Sequence, residues 1–127
     1  MHLTLKIGTY EVIAFAKLSA DYVLEIPAID FLHEQSKSGD TKGSVNGFMN
    51  LFERYADGGT SKLTVELFHE VDNTDKIFEF IKGQIRIFCF KDKNKVILTH
   101  GALKKTKKVD PSEVARAVAC KNIYFKK

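Results

Sequence analysis

Arg86-Ile87-Phe88-Cys89-Phe90, then Lys91-Asp92-Lys93-Asn94, then Val96-Ile97-Leu98-Thr99-His100-Gly101-Ala102-Leu103-Lys104-Lys105-Thr106, and finally Asp110-Pro111-Ser112-Glu113 decide how this chain is read. Two long runs rich in β-branched and aromatic residues, joined by a polar four-residue turn, predict an antiparallel hairpin. If the whole of 91–94 is the turn, Phe90 faces Lys95, Phe88 faces Ile97 and Arg86 faces Thr99. Ile87 and Leu98 then lie on the opposite face. Both faces near the turn are apolar, so the pair is expected to be buried on both sides. Arg86 emerges where the apolar run ends. A guanidinium there must meet a ligand or an internal partner, and Glu79 on the preceding strand is the natural internal partner.

Working outward, Asp110 can cap a helix, Pro111 suits its first position and Glu113 completes a capping box. Val109 can staple to Val114, and the Val114, Ala117 and Val118 stripe should pack the helix on the sheet. Upstream of the hairpin, Ile77 to Ile81 alternates like a strand that turns at Lys82-Gly83, and Lys62 to Phe68 alternates similarly. Val45, Phe48, Met49, Leu51, Phe52 and Tyr55 place a broad apolar face on a helix that stops at Asp57-Gly58-Gly59. Pro27 opens an earlier helix carrying Ile29, Phe31 and Leu32 up to His33 and Glu34. Leu3, Leu5 and Ile7, a break at Gly8-Thr9 and the strand formers from Tyr10 to Leu18 read as an opening hairpin. The expected architecture is α+β: an antiparallel twisted sheet with two helices after the N-terminal strands and a C-terminal helix.

At 127 residues, 44% apolar and 28% charged, the chain fits one domain, 1–127, with a sizeable core. Its apolar stretches are too short to cross a bilayer and no export signal opens it, which suits the cytoplasm. Cys89 and Cys120 fall inside core elements and read as reduced, buried thiols. His2, His33 and His69 share no ligand spacing with each other or with the cysteines, so neither metal nor cofactor is expected. Charge is uneven. From Gly101 onward Lys104, Lys105, Lys107, Lys108, Arg116, Lys121, Lys126 and Lys127 oppose only Asp110 and Glu113, in a chain of net charge +4. A basic patch on a nearly neutral body is what a polyanion binder needs, and it is also what a solvated surface looks like.

The run Ile77-Phe78-Glu79, the strand Ile85-Arg86-Ile87-Phe88, the segment His100-Gly101-Ala102-Leu103-Lys104-Lys105-Thr106 and the helix start Pro111-Ser112-Glu113-Val114 resemble the RelE/HigB toxin superfamily, especially its phage-derived HigB-like branch. The likeness is specific over Ile77 to Ala119 and topological before it. It implies a RelE-like fold and the toxin of a type II toxin–antitoxin system, an mRNA endoribonuclease acting on the ribosome. The partners it implies are mRNA, ribosomal RNA and an antitoxin with a helix-turn-helix, with no membrane. In the implied reaction the ribose 2′-hydroxyl attacks the adjacent phosphate, which needs positioning and charge stabilisation rather than a metal.

On that resemblance Arg86 grips the phosphate, and of Lys104 and Lys105 one stabilises charge while the other touches ribosomal RNA. Lys107 and Lys108 extend the docking patch, and His100 or Tyr124 transfers protons. Against these stand bland readings: a strand histidine is usually structural, and a terminal tyrosine usually packs. The chain also departs from its relatives at Ile81, where they carry an arginine, and at Ala102, where they carry an aromatic. A noncatalytic module of the same fold that accepts an antitoxin segment is the alternative.

Overall fold

The computed structural model describes residues 2–126. Strands β1 (Leu3–Ile7), β2 (Glu11–Ala14), β3 (Lys17–Leu18) and β4 (Leu24–Glu25) precede helices α1 (Pro27–Gln35) and α2 (Lys42–Gly58). A 3-10 turn (Gly59–Lys62) leads into β5 (Phe68–Asp72), β6 (Ile77–Lys82), β7 (Ile85–Asp92), β8 (Lys95–Leu103) and α3 (Pro111–Phe125). Six strands form one sheet in the order β1-β2-β8-β7-β6-β5, and β3 and β4 form a separate small hairpin. This is the α+β architecture expected of a RelE-like fold.

All pairings in the large sheet are antiparallel except β2 with β8, which run parallel from Glu11 beside Lys95 to Ala14 beside Leu98. The opening hairpin thus adds to the far side of the meander, and β7 and β8 become interior strands. Interior position explains their composition, since a strand covered on both faces is apolar throughout. The face toward α1 and α2 buries Ile85, Ile87, Cys89, Val96 and Leu98 against Phe48, Leu51, Phe52 and Tyr55. The face toward α3 buries Phe88, Phe90 and Ile97 against Ala117, with Val109, Val114, Val118 and Tyr124 packed around them. No helix among the described residues is long and apolar enough to cross a membrane.

Several local expectations are corrected. The β7–β8 turn is only Lys93-Asn94, with Lys93 in the left-handed region at φ 57°, so Phe90 pairs with Ile97 rather than Lys95. Lys91 and Asp92 stay in the strand, where the Lys91 ammonium sits 4.5 Å from the centre of the Phe78 ring, a cation–π contact that gives a strand lysine a reason to stay. A bulge at Thr99 then puts Phe88 opposite His100, and Arg86 falls opposite Ala102, not Thr99. The extra residue reverses facing beyond it, which is how His100 comes to stack on Phe88 at 4.9 Å. The strand expected over 62–68 begins only at Phe68, because the 3-10 turn and a bend occupy the earlier residues. The strand expected through Leu18 divides into β2 and β3.

Candidate functional site

Residues 104–110, between β8 and α3, cross the α3 face of the sheet as a basic loop. Asp110 caps α3 as expected, accepting from the Ser112 amide at 2.9 Å and the Ser112 hydroxyl at 2.8 Å. These two bonds hold the exposed Asp110 carboxyl below the usual carboxylate range. The capping box is not closed by Glu113. Its Oε1 turns instead to Arg116 at 3.2 Å and His100 at 3.3 Å.

Arg86 anchors the loop from beneath. It is only 4% exposed. Nη1 donates to both carboxylate oxygens of Glu79, at 2.8 and 2.9 Å, and Nη2 donates to the carbonyls of Thr106 at 2.7 Å and Lys107 at 3.1 Å. One Nη1–H is shared between the two carboxylate oxygens and Nη2 serves the two carbonyls, so both terminal nitrogens are engaged inside the protein. The internal partner foreseen for Arg86 is present, and the side chain does more than neutralise it: it ties β7 to the loop. The Thr106 hydroxyl tightens the turn further by donating to the Lys108 carbonyl at 2.8 Å.

Beside this anchor lies an open cleft of about 730 Å³, lined by Arg86, Phe88, Gly101, Ala102 and Leu103 of the hairpin, Lys105, Thr106, Lys108 and Val109 of the loop, Asp110, Pro111 and Glu113 at the start of α3, and Phe31 of α1. Its floor is apolar and its rim carries two lysines. Phe31 reaches it because residue 101 is glycine: a Cβ there would fall inside contact distance of the Phe31 ring, 2.8 Å from Cγ.

Residues 40–121 match the family of phage-derived Gp49-like proteins (DUF891). The chain belongs to that family. The Gp49-like family is part of the RelE/ParE-like toxin superfamily, which sets this chain among toxins of the toxin–antitoxin kind. The match runs from just before α2 into α3 and so includes β7, β8 and the whole basic loop. No curated protein matches the chain.

In this Gp49-like protein the residues expected to act together are only partly assembled. Arg86, Lys105 and Lys108 line one cleft. Lys104 does not line it. Its amide donates to the Gln84 carbonyl at 2.6 Å, continuing the ladder, and Lys104 lines a second groove with Gly83, Gln84, Thr106, Lys107 and Lys105, the last of which borders both.

His100 is 1% exposed, behind Phe88 and outside the cleft lining. Its Nδ1 lies 3.0 Å from the Thr99 hydroxyl, while Nε2 faces Glu113 without an aligned hydrogen bond. Burial, aided by the nearby Arg116 charge and opposed by Glu113, pushes its pKa down to about 4. It is a neutral structural ring at neutral pH.

Tyr124 is at the other end of the sheet. Its hydroxyl donates to Asp92 at 2.9 Å and its ring packs on Phe90. Asp92 lies six steps along β7 from Arg86, roughly 20 Å. Burial first, then its bond to Asp92, pushes the Tyr124 pKa up to about 12. The expected roles of His100 and Tyr124 in proton transfer therefore find no geometric support.

Sequence reasoning missed Phe31, which sits on a helix far from the motif and reads there as core. It also missed His69, whose Nε2 lies 2.7 Å from Glu79 Oε2.

Proposed function

We propose that this Gp49-like protein is the toxin of a type II toxin–antitoxin pair and acts in the cytoplasm as an endoribonuclease on ribosome-bound mRNA. The observation that carries the reading is the gathering of Lys105 and Lys108 on the rim of one open cleft by a loop that Arg86 holds in place. A single-stranded RNA laid along this rim would meet two ammonium groups for its phosphates, an apolar floor and the Phe31 ring for a base. Cleavage follows from positioning. The 2′-oxygen loses its proton and attacks the neighbouring phosphorus in line, the 5′-oxygen leaves and gains a proton, and a 2′,3′-cyclic phosphate remains. Lys105, an exposed ammonium on the rim, stabilises the crowded negative charge once the strand is seated against it. Arg86 acts through the loop, since its Nη1 and Nη2 are already engaged. Lys104 and Lys107, which line the groove beside Gly83 together with Lys105, serve as contacts to ribosomal RNA on this reading.

A second reading is favoured by one observation: neither His100 nor Tyr124 faces the cleft. On it, the protein is a noncatalytic member of the fold whose cleft accepts an antitoxin segment.

Toeprinting of translating ribosomes with purified protein separates the two. Discrete cuts within the decoded mRNA, bearing 2′,3′-cyclic phosphate ends and lost in Lys105→Ala, are the expected result. Intact mRNA, together with harmless induced expression, leaves the binding module.

A further inference from the structure

Across the α3 face of the sheet, register sets His69 of β5 opposite Glu79 of β6, and Ile81, two residues beyond Glu79, opposite Arg86 of β7. Arg86 reaches diagonally to Glu79, whose carboxylate is 1% exposed and so depends on internal partners. Nη1 of Arg86 supplies two contacts from one side, and His69 closes the other. The imidazole is 36% exposed and stands between Glu79 and solvent. Its Nδ1 lies 2.7 Å from the Val65 carbonyl and its Nε2 2.7 Å from Glu79 Oε2. A carbonyl can only accept, so Nδ1 donates to Val65, which turns Nε2 toward the Glu79 carboxylate at contact distance. From β5 to the loop the chain of contacts is continuous: Val65 carbonyl, His69, Glu79, Arg86, then the carbonyls of Thr106 and Lys107. A second cleft brings Lys107 and Lys108 over the same two acidic and imidazole side chains, Glu79 and His69.

We propose that His69 is a positioning residue for the basic loop: by fixing Glu79 it fixes the Arg86 guanidinium, and through it the backbone from which Lys105, Lys107 and Lys108 extend. Glu79 without His69 is free to rotate or hydrate on its open side, and Arg86, whose geometry toward the loop is set by Glu79, turns with it. The strap itself does not depend on RNA cleavage. Its consequence for RNA, that loosening the loop scatters the cationic rim, rests on the function proposed above.

Two amide replacements separate the two ring nitrogens. His69→Gln extends a donor to the position of Nε2 and keeps the bond to Glu79, whereas His69→Asn keeps a donor near Nδ1 for Val65 and leaves Glu79 open. Limited trypsin digestion reads the loop directly, because four lysines lie within it, and mass spectrometry locates the first cuts. The expected result is that His69→Gln is cut in the loop at the wild-type rate. His69→Asn should be cut there about tenfold faster, the effect of losing one contact to a charged group, with the first cuts still confined to the loop and the melting temperature lowered by only a few degrees. Equal rates for wild type and His69→Asn would overturn the proposal. So would loop cutting as fast in His69→Gln as in His69→Asn, or first cuts spread along the chain rather than confined to the loop. Wild-type protein that shows this pattern and cuts no ribosome-bound mRNA removes the nuclease reading and leaves the strap standing.

Discussion

Arg86 and Glu79 are bound to each other by two contacts from a single guanidinium nitrogen, at 2.8 and 2.9 Å, with side chains only 5% and 1% exposed. Two charges so far from water are held by each other, and removing one strands the other. Glu79→Ala is expected to destabilise the fold by about 3–5 kcal/mol, the range for breaking a buried pair. Replacing both, as Glu79→Leu with Arg86→Met, removes the desolvation of two ions and should recover most of that loss. Urea denaturation of the wild type and the two variants checks it. If the double variant is no more stable than Glu79→Ala, the destabilisation does not come from a stranded charge.

Gly101 and Phe31 form a fitted contact between β8 and α1. A methyl at 101 would press on the Phe31 ring and also lie 2.9 Å from Ile87 Cδ1. Gly101→Ala should therefore cost about 1–3 kcal/mol through overpacking. Combining it with Phe31→Leu, which removes the ring, should give less than the sum of the two single losses. Additive losses in a thermal double-mutant cycle would show that the ring does not rest there.

The depressed pKa of His100 makes stability depend on acidity. The folded chain holds the ring neutral down to about pH 4, while an unfolded histidine takes up its proton near 6.5. Between those values the unfolded state binds more protons, so the contribution of the buried ring is complete above about pH 6.5 and is lost as pH falls toward 4. His100→Gln should flatten the plot of unfolding free energy against pH over that window. An unchanged slope would mean that the ring is hydrated.

Much of the fold was legible because short-range chemistry controls it. Asp110-Pro111 begins α3, the aromatic spacing of 48–55 gives the face of α2, and Pro27 opens α1, each a decision made within a few residues. What was hidden is long-range. The parallel join of Glu11–Ala14 to Lys95–Leu98 links segments over eighty residues apart, and nothing local in either strand selects parallel over antiparallel pairing. The bulge at Thr99 was equally silent: a threonine in an apolar run looks like any strand residue, and only its hydroxyl bond to the Phe88 carbonyl at 3.2 Å marks its irregularity. That one extra residue sends His100 under α3 and so removes a titrating group that the sequence seemed to offer. The Arg86–Glu79 pair, in contrast, was readable from strand adjacency alone. The basic loop was readable as charge, though not which lysines share a cleft, since that depends on the two carbonyls Arg86 holds.

The different placement of two adjacent lysines is the sharpest consequence for RNA: Lys105 borders both the cleft and the groove beside Gly83, Lys104 the groove alone. Lys105 and Lys108 line the cleft and Lys104 does not, although Lys104 and Lys105 are adjacent and equal in charge. A phosphate contact contributes through counterion release, so removing it should lower the slope of log affinity against log salt by about one. Binding of a short single-stranded RNA, measured by fluorescence anisotropy over a salt series, should show this loss for Lys105→Ala and for Lys108→Ala. Lys104→Ala should leave the slope nearly as in the wild type, because Lys104, unlike Lys105, does not line the cleft. Equal losses for Lys104→Ala and Lys105→Ala would mean that RNA reads the loop as diffuse positive charge, and the cleft would lose its claim to be where a strand is held.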